Sequence, residues 1–172
     1  AAGYQQVKFT DVADYYVVNS CSVTESANKK SRQVVRSAHR RNPNAKIVVV
    51  GCYAQLKPEE VGTVDGVALV LGVDEKFNIV ERLAEIESCD CASLHVSSID
   101  SVENFSCAYS CSERTRAFLK VQDGCNYRCS YCTIPLARGK SRNIEISSLV
   151  KQAEEIASRG VKEIVLSGIN IG

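Results

Sequence analysis

Cys125-Asn126-Tyr127-Arg128-Cys129-Ser130-Tyr131-Cys132 sets three thiols within eight residues, spaced Cys-x-x-x-Cys-x-x-Cys, shortly after a mainly apolar run from Ala117 to Val121 and the turn signal Asp123-Gly124. Three close thiols point to a metal. A structural zinc ion takes four closed ligands, usually as two Cys-x-x-Cys-like pairs, so a compact group of three leaves one coordination position unfilled. A cluster of four irons and four sulfides tolerates that arrangement, because three irons take thiolates and the fourth can bind a small molecule. The competing reading is an incidental group of buried thiols in a cysteine-rich chain.

Composition narrows the setting. The chain has 172 residues, 45% hydrophobic and 24% charged, which fits a globular protein of one or two domains with a real core. A net charge of +1 makes no case for nucleic-acid binding on composition alone, so any basic surface is local. Nine cysteines is an odd count, and no charged-then-apolar leader precedes them. A secreted disulfide framework is therefore disfavoured and a reducing cytoplasm is the expected address. Apolar runs such as Ile47 to Val50 fall far short of the roughly 20 residues that span a bilayer, so no membrane segment is expected. The start at Ala1 without a methionine and the stop at Gly172 read as a piece of something longer.

From the start, strand and helix signals alternate. Tyr15 to Asn19 reads as a strand apolar on both faces, and Ser22-Val23-Thr24-Glu25 has the form of a capping box opening a helix to about Arg41. On that helix Ala27, Val34, Val35 and Ala38 share one side, and Lys29, Arg32, Arg36 and Arg40 the other. The cationic face is either a solvated helix surface or a phosphate-contacting one. Lys46 to Val50 and Val67 to Leu71 are further strands. Asp74 to Glu87 reads as an amphipathic helix carrying Phe77, Val80, Leu83 and Ala84. The alternation predicts an open parallel α/β sheet. Cys21 and Cys52 each follow a strand directly, so the fold would bring them to one sheet edge although 31 positions separate them. Each alone reads more simply as a buried apolar cysteine; together they favour ligation.

The expected domains are an amino-terminal α/β domain over 1–87, a linker over 88–113 and a second domain over 114–172. In the linker, Cys89, Cys91, Cys107 and Cys111 are either loose thiols or a zinc site of unusual spacing. After the cysteine loop, Ser147 or Ser148 can cap a helix ending at Gly160, and Val161 to Ser167 is a strand, which completes one βαβ unit.

The cysteine spacing, with Tyr131 just before the last cysteine, resembles the radical S-adenosylmethionine superfamily. The order of parts, an α/β domain with cysteines after its strands, a linker, then Arg114 to Cys125 and Ile134-Pro135-Leu136-Ala137-Arg138-Gly139-Lys140-Ser141-Arg142, resembles its methylthiotransferases from about Tyr15 onward. The resemblance implies an amino-terminal open parallel three-layer domain, incomplete at its start. It is followed by the first βαβ unit of a partial TIM-like barrel.

The resemblance also implies two four-iron clusters, one on Cys125, Cys129 and Cys132, and an auxiliary one to which Cys21 and Cys52 supply two of three ligands. S-adenosylmethionine would bind the open iron, with Tyr131 near its adenine and Asn170, in place of the superfamily's usual Gly-Gly-Glu type of turn, near its amino group. One-electron cleavage of the sulfonium then activates an adenine C–H that no side-chain base could deprotonate. The short Arg138-to-Arg142 segment is similar to that of the branch acting on threonylcarbamoyladenosine next to the tRNA anticodon. Branches acting on isopentenyladenosine or on a ribosomal protein are the alternatives. Implied partners are tRNA and an electron donor such as a flavodoxin; Lys29, Arg32, Arg36, Arg40, Arg138 and Arg142 are candidate RNA contacts. A reading from another class is a non-catalytic iron-sulfur or zinc RNA-binding module.

Overall fold

The computed structural model describes residues 3–86, 92–102, 109–111 and 116–171, with backbone alone at 110 and 111. Cys89, Cys91 and Cys107, and the side chain of Cys111, lie outside the described residues. The chain divides into two compact units, residues 1–102 and 103–172.

In the first unit, β1 (Tyr15–Ser20), β2 (Lys46–Gly51), β3 (Val67–Leu71) and β4 (Ser93–His95) form one parallel sheet in that order. The β2 run Ile-Val-Val-Val is apolar on both faces because both are covered. Ile47 and Val49 pack with Val35 and Ala38 of α1 (Glu25–Arg41), Tyr53 and Ala54 of α2 (Cys52–Leu56) and Val61 of α3 (Pro58–Gly62). Val48 and Val50 pack on the opposite face with Leu69, Leu71, Leu83 and Ile86, where Leu83 belongs to α4 (Ile79–Glu85). The result is the expected three-layer α/β arrangement. Each fully buried Val, Leu or Ile contributes about 1.5–3 kcal/mol.

Several details depart from the sequence reading. Thr24 rather than Ser22 caps α1, its hydroxyl accepting from the Ala27 N–H at 3.2 Å, while Ser22 is buried. Cys21 therefore lies four positions ahead of the first helical residue, outside the first turn where a helix dipole acts. The helix expected over 74–87 is broken at Asn78 into a 3₁₀ turn, Glu75–Phe77, and α4. The break turns Phe77 out, and within α4 Ile79, Leu83 and Ile86 form the inward face, so Val80 is exposed as well. β1 is an edge strand with one open face, where Val17 is 51% exposed. Ser93–His95, within the expected linker, is a fourth strand; three residues with polar ends carry too little periodicity to read as one.

In the second unit β6 (Arg116–Lys120) pairs antiparallel with β5 (Tyr109–Cys111) and parallel with β9 (Glu163–Ser167). Between β6 and β9 run β7 (Gln122–Asp123), the cysteine loop, α5 (Ile134–Arg138), β8 (Arg142–Asn143) and α6 (Ile146–Ser158). This is the expected βαβ unit. Ala117 and Leu119 of β6 meet Ile156 of α6, with Leu149 and Ala153 beside it. Gly160 closes α6 at φ +83°, its N–H donating to the Ala157 carbonyl, and Glu145, not a serine, takes the N-cap position.

Candidate functional site

The cysteine loop leaves the carboxyl end of β6, the edge at which open α/β sheets bind ligands. Its base is pinned by the segment 138–142. Gly124, at φ +72°, lets the loop pass so close to the Gly139 and Lys140 carbonyls that no side chain fits there. The Cys125 N–H then donates to the Gly139 carbonyl at 3.0 Å, and the Ser141 N–H to Asn126 Oδ1 at 3.0 Å. Asp123, 4% exposed, accepts from Lys120 Nζ, from Arg138 at 3.1 Å and from the Gly124 N–H at 3.0 Å. Burial alone would raise the Asp123 carboxyl, but the Lys120 hydrogen bond and the Lys120 and Arg138 charges outweigh it and hold it below the ordinary aspartate range.

Beyond that base the loop opens outward. Cys129 is exposed, Cys125 and Cys132 are half-buried, and none is in a disulfide. Tyr131 is 90% exposed. Among the described residues, no three metal-ligating side chains converge, so the cysteines share a loop without their sulfurs forming a closed set. The donor set nevertheless fits an iron-sulfur cluster: three accessible thiols on one short loop held at its base, none committed to another covalent partner. Asn170, half-buried, lies in the turn after β9, where its N–H donates to Gln122 Oε1 at 3.0 Å.

Cys21 and Cys52 reach one edge of the first sheet. Their preceding residues, Ser20 and Gly51, are register partners on adjacent parallel strands, which lie about 4.8 Å apart. The buried Ser20 hydroxyl donates to the Val50 carbonyl at 2.6 Å and accepts from the Ala54 N–H at 3.3 Å, tying the end of β1 to the turn that carries Cys52. Gly51, at φ +99°, is required there, since a Cβ would stand 2.7 Å from Asn19 Oδ1 and nearer still to the Ser20 carbonyl. Cys21 is exposed and borders a cleft of about 430 Å³ along β1 and α1; Cys52 is half-buried.

The six candidate RNA contacts divide. Arg32 lies at the border of the helix face, three residues before buried Val35, and turns inward. It donates to the Tyr53 hydroxyl at 2.6 Å, to Glu60 at 2.7 Å and to Glu25 at 3.0 Å. Tyr53, 1% exposed, donates to Glu60 at 2.6 Å; burial, then the Glu60 carboxylate, push its phenol up. Arg138 is engaged by Asp123, and Arg142 donates to the Arg138 carbonyl at 2.8 Å. Lys29, Arg36 and Arg40 are exposed and form no ion pair among the described residues. Gln122, Asp123, Ser20 and Tyr53 were missed; the available signal was a polar residue at the end of an apolar run.

Comparison with known proteins agrees with both units. Residues 1–72 match the model of uncharacterized protein family UPF0004, and residues 119–171 that of the radical SAM superfamily. Threonylcarbamoyladenosine tRNA methylthiotransferase MtaB of Bacillus subtilis is 40% identical over 179 residues, covering 99% of this chain and 38% of the relative. The protein of that name from Aquifex aeolicus is 41% identical over 172 residues, covering 98% and 42%. Ribosomal protein uS12 methylthiotransferase RimO of Synechocystis sp. is 36% identical over 172 residues, covering 96% and 37%. The chain thus spans about two fifths of the length of the curated relatives it matches. Each unit thus has its own family match, and one similarity to proteins named as methylthiotransferases runs through both.

Proposed function

We propose that this chain is part of an enzyme that methylthiolates the adenine C2 of N6-threonylcarbamoyladenosine next to the anticodon of tRNA. The observation that carries the reading is the three-cysteine loop at the carboxyl edge of a βαβ unit, in a chain similar almost throughout to proteins named for that reaction.

Cys125, Cys129 and Cys132 would hold one four-iron cluster, and Cys21 and Cys52 two ligand positions of a second. The clusters supply the one-electron chemistry that cleaves the sulfonium of S-adenosylmethionine and the sulfur to be transferred. The protein's part is placement. Asp123, Gly124 and the 138–142 segment brace the base of the cysteine loop, while Ser20 and Gly51 hold Cys21 and Cys52 on neighbouring strands. Tyr131 would stack near the cofactor adenine and Asn170 would meet its aminoacyl end. Lys29, Arg36 and Arg40 offer an exposed cationic face for tRNA phosphates. A flavodoxin-like protein would supply the electron, and the reaction would take place in the cytoplasm. No helix among the described residues is long and apolar enough to cross a membrane.

A ribosomal protein is the second substrate reading, favoured by the 36% identity to a protein named for acting on uS12. Mass spectrometry of tRNA nucleosides and of ribosomal proteins from a deletion strain decides between them. Loss of the methylthio group from threonylcarbamoyladenosine is expected; its persistence, with loss from a ribosomal protein, would overturn the tRNA assignment. Stoichiometric zinc in the anaerobically purified full-length protein, with no cleavage of S-adenosylmethionine, would favour the non-catalytic RNA-binding module.

A further inference from the structure

Gln122 is buried, 4% exposed, and opens β7 two residues past the end of β6. Its side-chain amide is used on both sides. Oε1 accepts the backbone N–H of Ile169 at 2.7 Å and of Asn170 at 3.0 Å, in the turn that follows β9. Nε2 donates to the Gly124 carbonyl at 2.7 Å, to the Asp123 carbonyl at 3.0 Å and to Ser141 Oγ at 3.0 Å. One side chain therefore joins the base of the cysteine loop, the segment that braces it, and a turn 47 positions away. Gly168 lies against it, with room for no Cβ beyond about 3.0 Å from Gln122 Oε1.

The arrangement needs a side chain that accepts on one side and donates on the other, as the primary amide does. An apolar side chain would take their partner from the Ile169 and Asn170 N–H groups and from the Asp123 and Gly124 carbonyls, and a carboxylate would face those two carbonyls. The sequence signal is slight, a glutamine at the end of an apolar strand, and the spacing of the cysteines does not involve it.

We propose that Gln122 is the positioning residue that fixes the cysteine loop relative to the Gly168–Asn170 turn, and so sets where the aminoacyl end of S-adenosylmethionine is received relative to Cys125, Cys129 and Cys132. The inference rests on the cofactor reading above. Gln122 touches neither cofactor nor substrate; it acts through the two backbone segments it holds. Loss of the amide lets the segments drift apart, which weakens cofactor binding while leaving the thiols themselves in place.

The test uses the full-length protein, anaerobically loaded with iron and sulfide, with S-adenosylhomocysteine as the uncleavable probe. Affinity is measured by equilibrium dialysis, iron per chain by colorimetry and folding by circular dichroism. Gln122→Leu is expected to keep wild-type iron and bind the probe about tenfold more weakly, the scale of one lost buried hydrogen bond. Gln122→Glu is expected to bind weakly at about pH 8 and to recover as the pH falls toward about 6, because a protonated carboxyl again offers both a donor and an acceptor. The wild type should show no such recovery.

A folded Gln122→Leu protein with wild-type iron and affinity within about twofold of wild type would overturn the proposal. If Gln122→Leu does not fold, the pH profile of Gln122→Glu decides: recovery supports the proposal, and a flat profile overturns it. Loss of fold and iron in both variants at every pH would also overturn it, since the amide would then serve the core alone. Failure of the wild-type protein to hold iron or bind the probe would show before any variant is compared. That result would overturn the cofactor reading, and this inference with it.

Discussion

Gly124 lies directly against the carbonyl of Lys140, with its φ at +72° and the Gly139 carbonyl oxygen 2.7 Å from where a Cβ would stand. Both conditions exclude a side chain: the backbone falls in the left-handed region, and the neighbouring atoms are themselves backbone and cannot swing away. Gly124→Ala is therefore expected to cost about 1–3 kcal/mol, the scale of a strained backbone position, and to break the Cys125 bond to Gly139. In the full-length protein, iron uptake should fall together with the thermal midpoint. Iron content equal to wild type would show that the base of the loop does not govern loading.

Asp123 carries a pH dependence whose sign is fixed. Burial opposes its charge, but Lys120, Arg138 and the Gly124 N–H hold the folded-state value below the ordinary one of 3.8. A depressed carboxyl contributes stability that is present above the unfolded value and is lost as pH falls through the folded one. Acid should accordingly weaken the second unit below about pH 4. Asp123→Asn should lose about 2 kcal/mol at neutral pH, toward the low end for a broken ion pair because Arg138 is 34% exposed, and should flatten this acid limb. Urea unfolding at a series of pH values measures both effects.

Arg32 and Arg36 sit one turn apart on α1 and should behave oppositely. Arg32→Ala removes the partner of Tyr53, Glu60 and Glu25 and is expected to lower the urea midpoint of the first unit. Arg36→Ala combined with Arg40→Ala should leave unfolding unchanged. In the full-length enzyme it should reduce the slope of log tRNA affinity against log salt by about one unit per lost phosphate contact. An unchanged slope would assign these cations to a solvated surface.

Ser20→Ala should cost about 1 kcal/mol, because the Val50 carbonyl and the Ala54 N–H both lose a buried partner. Chemical denaturation reads the loss. Cys52 is further expected to react faster with a soluble thiol reagent in this variant, since the turn that carries it is released from β1.

Much of this was open to reading along the chain. The spacing of Cys125, Cys129 and Cys132 is local, and the placing of Cys21 and Cys52 at one sheet edge follows once two parallel strands are recognised, each with a cysteine just past its end. Side-chain partnerships were hidden because they join distant positions. Arg32 reaches Tyr53 across 21 positions and Arg138 reaches Asp123 across 15, so a helical wheel sees cations without the groups that engage them. Gln122 is likewise visible only as a polar residue where the strand ends. The face of this segment differs for a local reason: Asn78 interrupts the helix and turns Phe77 out, and within α4 the inward face runs through Ile79, Leu83 and Ile86, which leaves Val80 beside it.

The order of strands in the first sheet bears on how the chain is made. Each strand pairs with the one that follows it in sequence, so the sheet can extend in the order of synthesis, one crossover at a time. Once Gly51 has left the ribosome, both strand ends that set Ser20 beside Gly51 exist, and with them the positions just ahead of Cys21 and Cys52, before any of the loop cysteines has been translated. Synthesis of the two cysteine-bearing segments is thereby separated in time by the direction of translation alone.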